Sequence, residues 1–156
     1  MNCPADPAVP SASCSASSEH NDNYRCENAF DSDPDSEWAT QGKGVGSWIQ
    51  SNFAIGAEYY SVTRFEYQHR AGPEDNQQIT LSFSDGSSQS FTLQDNTNAV
   101  QSFVISPVQT SFVRLSVDSV YETLNNGARQ IIFYGYPGKT ATSPCSPRSP
   151  ACRPGH

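Results

Sequence analysis

The chain has little positive charge, no long apolar run and no helical pattern. Its 156 residues carry nine Lys and Arg against 16 Asp and Glu, which gives a formal net charge of -7. Nucleic acids and anionic membranes require clustered basic residues, so neither is expected as the main partner. No segment is apolar for long enough to cross a bilayer, and the N-terminus lacks the basic flank and hydrophobic stretch of a secretory signal. We therefore expect either a cytosolic chain or a mature or excised domain.

Cysteine is missing from the whole middle of the chain. The five cysteines lie near the ends, at Cys3, Cys14, Cys26, Cys145 and Cys152. None forms the paired Cys-x-x-Cys spacing of a zinc site. Cys14 and Cys26 flank a short polar segment, which predicts a disulfide and therefore an extracellular or secreted protein. Five free thiols in a reducing cell are the alternative, and no Asn-x-Ser/Thr acceptor supports secretion independently.

Large apolar residues are scarce at both ends. Residues 1–12 are rich in Pro, Ala and Ser, and residues 138–156 are rich in Pro, Ser, Thr and Arg. Such segments cannot bury enough apolar surface to fold. We predict a linker over 1–12, one folded domain over 13–137 and a disordered tail over 138–156. The hydrophobic fraction of 35% is sufficient for a core in that domain if the apolar residues are well placed.

Apolar residues between the two ends recur with the period of strands. No segment shows apolar spacing of three and four over helical length, whereas several segments alternate. Strands are predicted over 61–67, 79–83, 90–93, 100–105, 112–117 and 130–134. The Ser-Asp-Gly-Ser turn at 84–87 predicts a hairpin over residues 79–93. The fold class is therefore all-β, most simply two packed antiparallel sheets.

An acidic turn lies directly before the first of two tryptophans. Its acids are Asp31, Asp33, Asp35 and Glu37, and Pro34 interrupts any regular structure. We expect Trp38 and Trp48 to be buried and to anchor this turn. Carboxylate and carbonyl oxygens that are fixed in position are good ligands for a hard cation such as calcium. The alternative is a solvated turn capped by Asx hydrogen bonds.

Motifs for catalysis are lacking. His20 and His69 lie in polar loops without a G-x-S-x-G motif nearby, so no nucleophile and base pair is indicated. The glycine-rich segment 42–46 lacks the following helix or Ser/Thr of a phosphate-binding loop, and we interpret it as a flexible hairpin loop. Carboxylates for glycoside hydrolysis need only meet in space, so their spacing in the sequence decides nothing.

Six short motifs, in this order, resemble the discoidin fold. They are Asn28–Asp31, Ser36–Trp38, Ser47–Gln50, Ser82–Gly86, Phe112–Leu115 and Ile131–Gly135. The discoidin fold is that of the C-type domain of coagulation factors V and VIII, and galactose-binding-like carbohydrate-binding modules share it. The resemblance covers about Ser11 to Gly135. It implies a non-catalytic jelly-roll β-sandwich with ligand-binding loops at one end and neighbouring termini, which would let Cys3 meet Cys145.

The resemblance also implies a structural calcium in the loop before the first tryptophan. The implied ligands are the main chain near Ala29, the carboxylates of Asp31 and Asp33, and the hydroxyl or carbonyl of Ser36. The family often adds a Glu where this chain has Gln130. An amide oxygen can coordinate calcium, but the lost charge is expected to weaken the site.

Sugar recognition is implied for the loop over residues 68–76. Arg70, with Asn76 or Asp75, and Tyr121 occupy places similar to those of the sugar-binding Arg, Asn and aromatic residues of galactose-binding relatives. Arg and Asn bond hydroxyl groups, and an aromatic ring packs on a pyranose face. His69 is a further candidate contact, although solvent exposure is the simpler interpretation. A Tyr121 that only covers the sandwich edge is also an alternative.

Two other features bear on sugar recognition. Relatives tend to place a His between the two tryptophans, where this chain has only Gln41 and Lys43. Arg70 has its own alternative, a surface ion pair with Glu74 or Asp75. The sequence thus predicts a module that binds a glycan or glycoprotein. A protein-adhesion module using the same loops without sugar is the alternative, and a phospholipid-surface binder comes third because the loop tips carry mostly Gly, Gln, Asn and acids.

Overall fold

Regular structure in the computed structural model, described for residues 7–53, 59–71, 75–121 and 125–138, is almost entirely strand. In chain order the strands are β1 Ser11–Ala16, β2 Trp38–Ala39, β3 Trp48–Phe53, β4 Tyr60–Gln68, β5 Asn76–Phe83, β6 Ser88–Thr92, β7 Gln101–Thr110, β8 Phe112–Val120, β9 Gly127–Ala128 and β10 Gln130–Pro137. One turn of 3-10 helix, Cys26–Ala29, lies between β1 and β2. No helix in the described residues is long and apolar enough to span a membrane.

The strands form two main antiparallel sheets. The order is β1-β3-β8-β5-β6 in the five-stranded sheet and β10-β4-β7 in the three-stranded sheet, and β2 pairs with β9 as a small ribbon. Apolar residues on the inner faces pack between the sheets, with Phe65 at 0% exposure against the rings of Phe91, Phe103 and Phe133. The predicted all-β jelly-roll sandwich is confirmed.

The predicted hairpin is also confirmed. β5 pairs with β6 from Gln78 opposite Thr92 to Ser82 opposite Ser88. Gly86 has a φ of +88°, which a residue with a side chain rarely adopts, and its N–H donates to Phe83 O at 3.0 Å. The Asp-Gly signal therefore set the position of this turn.

Strand β4 departs from simple alternation. Val62 and Phe65 are both fully buried although they are three residues apart, and the pairing register with β7 shifts between Val62 and Arg64. A bulge of this kind turns one residue out of phase, so both apolar side chains reach the core. The partner strand β10 shifts its register at Gly135, where an added Cβ would overlap the backbone of Ser61.

Two sequence predictions differ from the structure. Trp38 is buried as expected, but Trp48 lies half-buried on the outer face of the five-stranded sheet. The guanidinium carbon of Arg114 lies 3.7 Å from the centre of its ring, and this contact covers the indole in place of the core. The predicted linker over 1–12 also contains part of the sandwich, because Val9 is a core residue and Ala8 pairs with Tyr134.

The predicted disulfide between Cys14 and Cys26 is present, with the two Cα atoms 6.1 Å apart. It ties strand β1 to the 3-10 helix and closes the polar segment 15–25. The expected pairing of Cys3 with Cys145, the remaining Cys152 and the tail over 139–156 lie outside the described residues.

Candidate functional site

Loops from both sheets converge at one end of the sandwich. We call this region the loop end and define it by residues 18–25, 37–47, 69–71, 93–98, 121 and 125–126. Hydrogen bonds between the loops hold it together; for example, Thr40 N–H donates to Asn126 O at 2.8 Å and His20 N–H to Ala39 O at 2.7 Å. Of the residues for which the sequence predicted sugar contact, the loop end contains His69, Arg70 and Tyr121, whereas Asp75 and Asn76 lie outside it at the start of β5.

Arg70 is the centre of a clamp between three loops. Its Nε donates to Glu37 Oε1 at 3.1 Å, and its Nη1 donates to the main-chain oxygen of Asn125. Glu37 Oε2 accepts the N–H of Ala71 at 2.6 Å and lies 3.5 Å from Arg129 Nε. Glu37 is thus an ion-pair partner of Arg70 that the sequence analysis did not predict, and the predicted partner Glu74 lies outside the described residues. The clamp links the acidic turn directly to the Arg70 loop.

Tyr24 is an aromatic residue of the loop end that the sequence analysis did not select. Its half-buried ring has the Arg70 guanidinium carbon 5.2 Å from its centre, and the ring of His20 meets it edge-on at 5.5 Å. The contact with Arg70 is within cation-π range. The feature of the sequence that could have identified Tyr24 is its position as the one aromatic ring besides His20 in the polar segment between Cys14 and Cys26.

The other predicted sugar contacts are held inside the protein. His69, Asp75 and Asn76 are 0–1% exposed, so the expected solvent exposure of His69 is wrong. The Asn76 amide donates to Tyr67 Oη at 2.9 Å and to Gly127 O at 3.0 Å. The structure therefore brings these residues together beneath the loop end and does not present them on its surface.

Tyr121 lies close to this group and is also anchored. Its hydroxyl donates to Leu93 O at 2.8 Å, and its N–H donates to Asp75 O at 2.9 Å. The residue remains half-buried. Its side chain thus joins the loop after β8 to the end of β6, which matches the alternative in which it covers the sandwich edge.

Asn126 organises the interior of the loop end. This fully buried side chain accepts from Thr40 Oγ1 at 2.6 Å and from Gly44 N at 2.9 Å. Its amide donates to Ser47 Oγ and to Asn76 Oδ1, each at 2.9 Å. Both atoms of the amide are satisfied, as burial of a polar group requires. The glycine-rich segment 42–46 is therefore fixed at its base.

Burial shifts the pKa of two groups in this interior upward. It raises the pKa of the Asp75 carboxyl, which the nearby His69 partly opposes and the hydrogen bond from Asn96 also lowers. Burial likewise raises the pKa of the Tyr67 phenol, so Tyr67 stays neutral and able to hydrogen-bond. Its hydroxyl donates to Gly127 O at 2.9 Å.

The acidic turn gathers oxygen atoms around Ser36. The Ser36 hydroxyl lies 2.7 Å from Asp31 Oδ2 and 3.2 Å from both Asn28 O and Asp33 O. A hydroxyl has one proton, so it donates to only one of these three acceptors at a time. The turn therefore holds more oxygen atoms close together than the one hydroxyl proton can bond. Calcium prefers groups of oxygen ligands of this kind.

Other predicted calcium ligands are placed as follows. Ala29 ends the 3-10 helix next to the turn and is 1% exposed. Gln130 begins β10 opposite Gln68 of β4. Within the described residues, the one group of three His, Cys, Asp or Glu side chains close enough to share a metal is Cys14, Cys26 and Glu27, and its two cysteines are joined as the disulfide.

The β-sandwich is similar in fold to solved family 32 carbohydrate-binding modules. A module of Clostridium perfringens NanJ solved with galactose has a TM-score of 0.68 and 15% identity, covering 83% of this chain and 98% of its own. CpGH89CBM32-5 of the same organism, solved with GalNAc-β-1,3-galactose, has a TM-score of 0.69 and 17% identity, covering 82% and 99%. Chitosan-binding module 1 from the chitosanase/glucanase of Paenibacillus sp. IK-5 has a TM-score of 0.67 and 15% identity, covering 81% and 97%.

The chain itself belongs to the family described as domain of unknown function DUF7402, whose family model matches residues 6–131. No curated protein matches the chain. Residue 6 lies within the region that the sequence assigned to a linker.

Proposed function

We propose that the chain is a non-catalytic carbohydrate-binding module whose sugar site lies at the loop end, with Tyr24 and Arg70 as principal contacts. The observation that carries this proposal is the fold, because neighbours covered over 97–99% of their length are named as sugar-binding modules. Another neighbour was solved with 4,5-unsaturated mannuronic acid. AlyQ combines such a module with an alginate lyase domain, and the role proposed for this chain is the binding one.

The chemistry of the loop end supports this role. An aromatic ring offers a flat face for the C–H groups of a pyranose, and a guanidinium offers donors in a fixed plane for its hydroxyls. Arg70 is held by Glu37 and Asn125 before any ligand arrives, so little side-chain freedom is lost on binding. Gln41 and Lys43 are exposed polar residues of the same end, and the Gly42 N–H between them donates to Asn125 Oδ1 at 2.9 Å.

Calcium bound in the acidic turn is a second part of the proposal. Asp31, Asp33 and Ser36 would hold the ion together with the main-chain oxygen of Asn28, and the ion would supply the positive charge that these oxygens lack. Asn28 Nδ2 also donates to Glu37 O at 3.0 Å, so the turn and the Arg70 clamp are connected. The ion would therefore stiffen the sugar site without touching the sugar.

An extracellular setting is the third part. The Cys14–Cys26 disulfide supports it, because disulfides persist in oxidising compartments and are rare in the cytosol. Glycans and glycoproteins, the proposed partners, are abundant there.

A glycan array tests the binding role, and Tyr24→Ala tests the site. Losing an aromatic stacking contact worth about 0.5–1.5 kcal/mol should weaken binding roughly 2- to 12-fold, while the loop end stays folded. Phe112→Ala, a half-buried aromatic change on the five-stranded sheet, is the matched control and should leave binding unchanged. Silence across neutral, amino and acidic glycans would refute the proposal, and equal affinity of Tyr24→Ala and wild type would move the site elsewhere.

Thermal unfolding with and without calcium tests the ion. A ligand that binds only the native state stabilises it by about 2.7 kcal/mol at 100 times its Kd, so the melting temperature should rise with calcium and fall with chelator. Asp31→Asn should remove most of that rise, and Asp22→Asn, outside the turn, should not. A melting temperature that changes with neither calcium nor chelator would refute calcium binding in the acidic turn.

A further inference from the structure

A buried pair of ionisable residues closes the base of the loop that carries Arg70. His69 stands at one end of that loop and Asp75 at the other, and each is 1% exposed. His69 Nδ1 and Asp75 Oδ1 are 3.8 Å apart. Neither atom has a hydrogen-bond partner among the residues that the structure describes. Two unpartnered polar atoms facing each other in the interior are costly and call for a reason.

The hydrogen bonds around the pair show that both facing atoms are acceptors and lack a proton between them. His69 Nε2 contacts the carbonyl oxygen of Gln94, which can only accept, so Nε2 carries a hydrogen. In a neutral ring Nδ1 then presents a lone pair toward the carboxylate of Asp75, and both atoms are acceptors. One proton placed between them would satisfy both, whichever residue formally carries it.

We propose that His69 and Asp75 share one proton and act as a positioning pair that couples the separation of these two side chains, and with it the position of the neighbouring Arg70, to pH. At 3.8 Å the two atoms are too far apart for a hydrogen bond. A charge-assisted bond is about 2.7–2.9 Å long, so proton uptake brings His69 Nδ1 and Asp75 Oδ1 about 1 Å closer together. Loss of the proton returns the open arrangement.

Neighbouring contacts carry this movement to the rest of the loop end. Asp75 Oδ2 accepts the N–H of Asn96 at 3.0 Å, and Asp75 O accepts the N–H of Tyr121 at 2.9 Å. The pair therefore links residues 69 and 75 to the loop at 93–98 and to Tyr121 after β8. An effect of the pair on sugar binding rests on the proposed function. The shared proton itself does not depend on that function.

In the described part of the chain, Asp95 and Tyr67 are ionisable groups that lie near the pair. The charge of Asp95 raises the pKa of Asp75, in the same direction as the larger effect of burial. The ring of Tyr67 meets His69 edge-on at 5.1 Å and stays neutral. Because the folded pKa of Asp75 is raised, the stabilisation from the proton is complete below the ordinary carboxyl pKa of about 4 and is lost as pH rises through the raised value.

The substitution Asp75→Asn tests the effect of the proton separately from the effect of the hydrogen bonds. The amide can donate to His69 Nδ1 and still accept from Asn96 N–H, so it forms the closed arrangement without a titrating group. The melting temperature of Asp75→Asn minus that of wild type should therefore grow between pH 4 and pH 8, by about 2–4 °C for a chain of this size. Asp95→Asn, an exposed neighbouring acid, is the matched control and should show less than half of that growth. A difference that stays constant over this range would overturn the proposal.

A second measurement keeps the test decisive if the variant fails to fold. In wild type, the ¹⁵N shift of His69 Nδ1 and the ¹³C shift of the Asp75 carboxyl should change together in one titration between pH 4 and pH 8. Independent titrations, or none, would overturn the shared proton. Binding of a glycan identified on the array should weaken as pH rises in wild type and stay constant in Asp75→Asn. A silent array would refute the proposed function, and the two pH titrations would still decide the proton.

Discussion

Asn126→Ala removes the side chain on which the interior of the loop end depends. The substitution leaves the Gly44 N–H and the Thr40 hydroxyl without their acceptor, and it leaves Asn76 Oδ1 without a donor; Gly44, Thr40 and Asn76 are all buried. Each unsatisfied buried group costs about 1–3 kcal/mol. Rotation of the Thr40 hydroxyl and entry of water into the space left will recover part of this. We expect a net loss of about 3–5 kcal/mol in the free energy of unfolding.

Urea denaturation followed by tryptophan fluorescence measures this loss. A typical domain is stable by about 5–15 kcal/mol, so the variant should still fold with a lower midpoint and an unchanged slope. Asn98→Ala, an exposed residue of the same end, is the matched control and should change stability by less than about 0.5 kcal/mol. A loss below about 1 kcal/mol for Asn126→Ala would refute the reasoning, because it would mean that the buried hydrogen bonds of Asn126 stabilise the protein no more than those of an exposed side chain.

Three further predictions concern other parts of the fold. Replacing Cys14 and Cys26 by Ser should cost about 3 kcal/mol in urea denaturation, the entropy of closing a loop of this length, and reductant should lower wild type to the same level. Gly127→Ala should cost about 3 kcal/mol or more by the same assay, because its Cβ would overlap the backbone of Trp38 in the paired strand; a soluble variant of wild-type stability would contradict that contact. Hydrogen bonds from the turn lower the pKa of Asp85, so the stability it adds is present above pH 4 and is lost as pH falls through the lowered value; Asp85→Asn should approach wild-type melting temperature in acid and fall below it at pH 7.

The parts of the fold that the sequence predicted are those with a local cause. The hairpin over 79–93 follows from alternation and one Asp-Gly turn, and the disulfide follows from two cysteines around a short polar segment. Half-buried Trp48 could not be predicted, because residue type alone does not show that Arg114 of a strand distant in sequence covers the indole. The bulge in β4 likewise depends on pairing with two other strands.

The candidate site was predictable only in part for a related reason. The sequence selected polar residues in one loop, and the structure places Arg70 at the centre of the loop end but buries Asn76 beneath it. A polar loop residue can bond a ligand or the backbone of another loop, and both uses favour the same residue types. Partners such as Glu37 and Asn125 lie 33 and 55 residues away from Arg70 along the chain, so no local pattern identifies them.

This competition explains why the interior of the loop end is polar. Strands satisfy their N–H and C=O groups in a sheet ladder, but loops that leave the strands and pack on one another bring unpaired backbone groups into the interior. Side chains with several donors and acceptors must then be buried with them, as Asn126 is beside Gly44 and Thr40. Packing these loops together thus requires buried amides whether or not they contact a ligand. The groups proposed above to contact a sugar are held in another way: the Arg70 guanidinium bonds the Glu37 carboxylate and the main-chain oxygen of Asn125, and Tyr24 packs beside it.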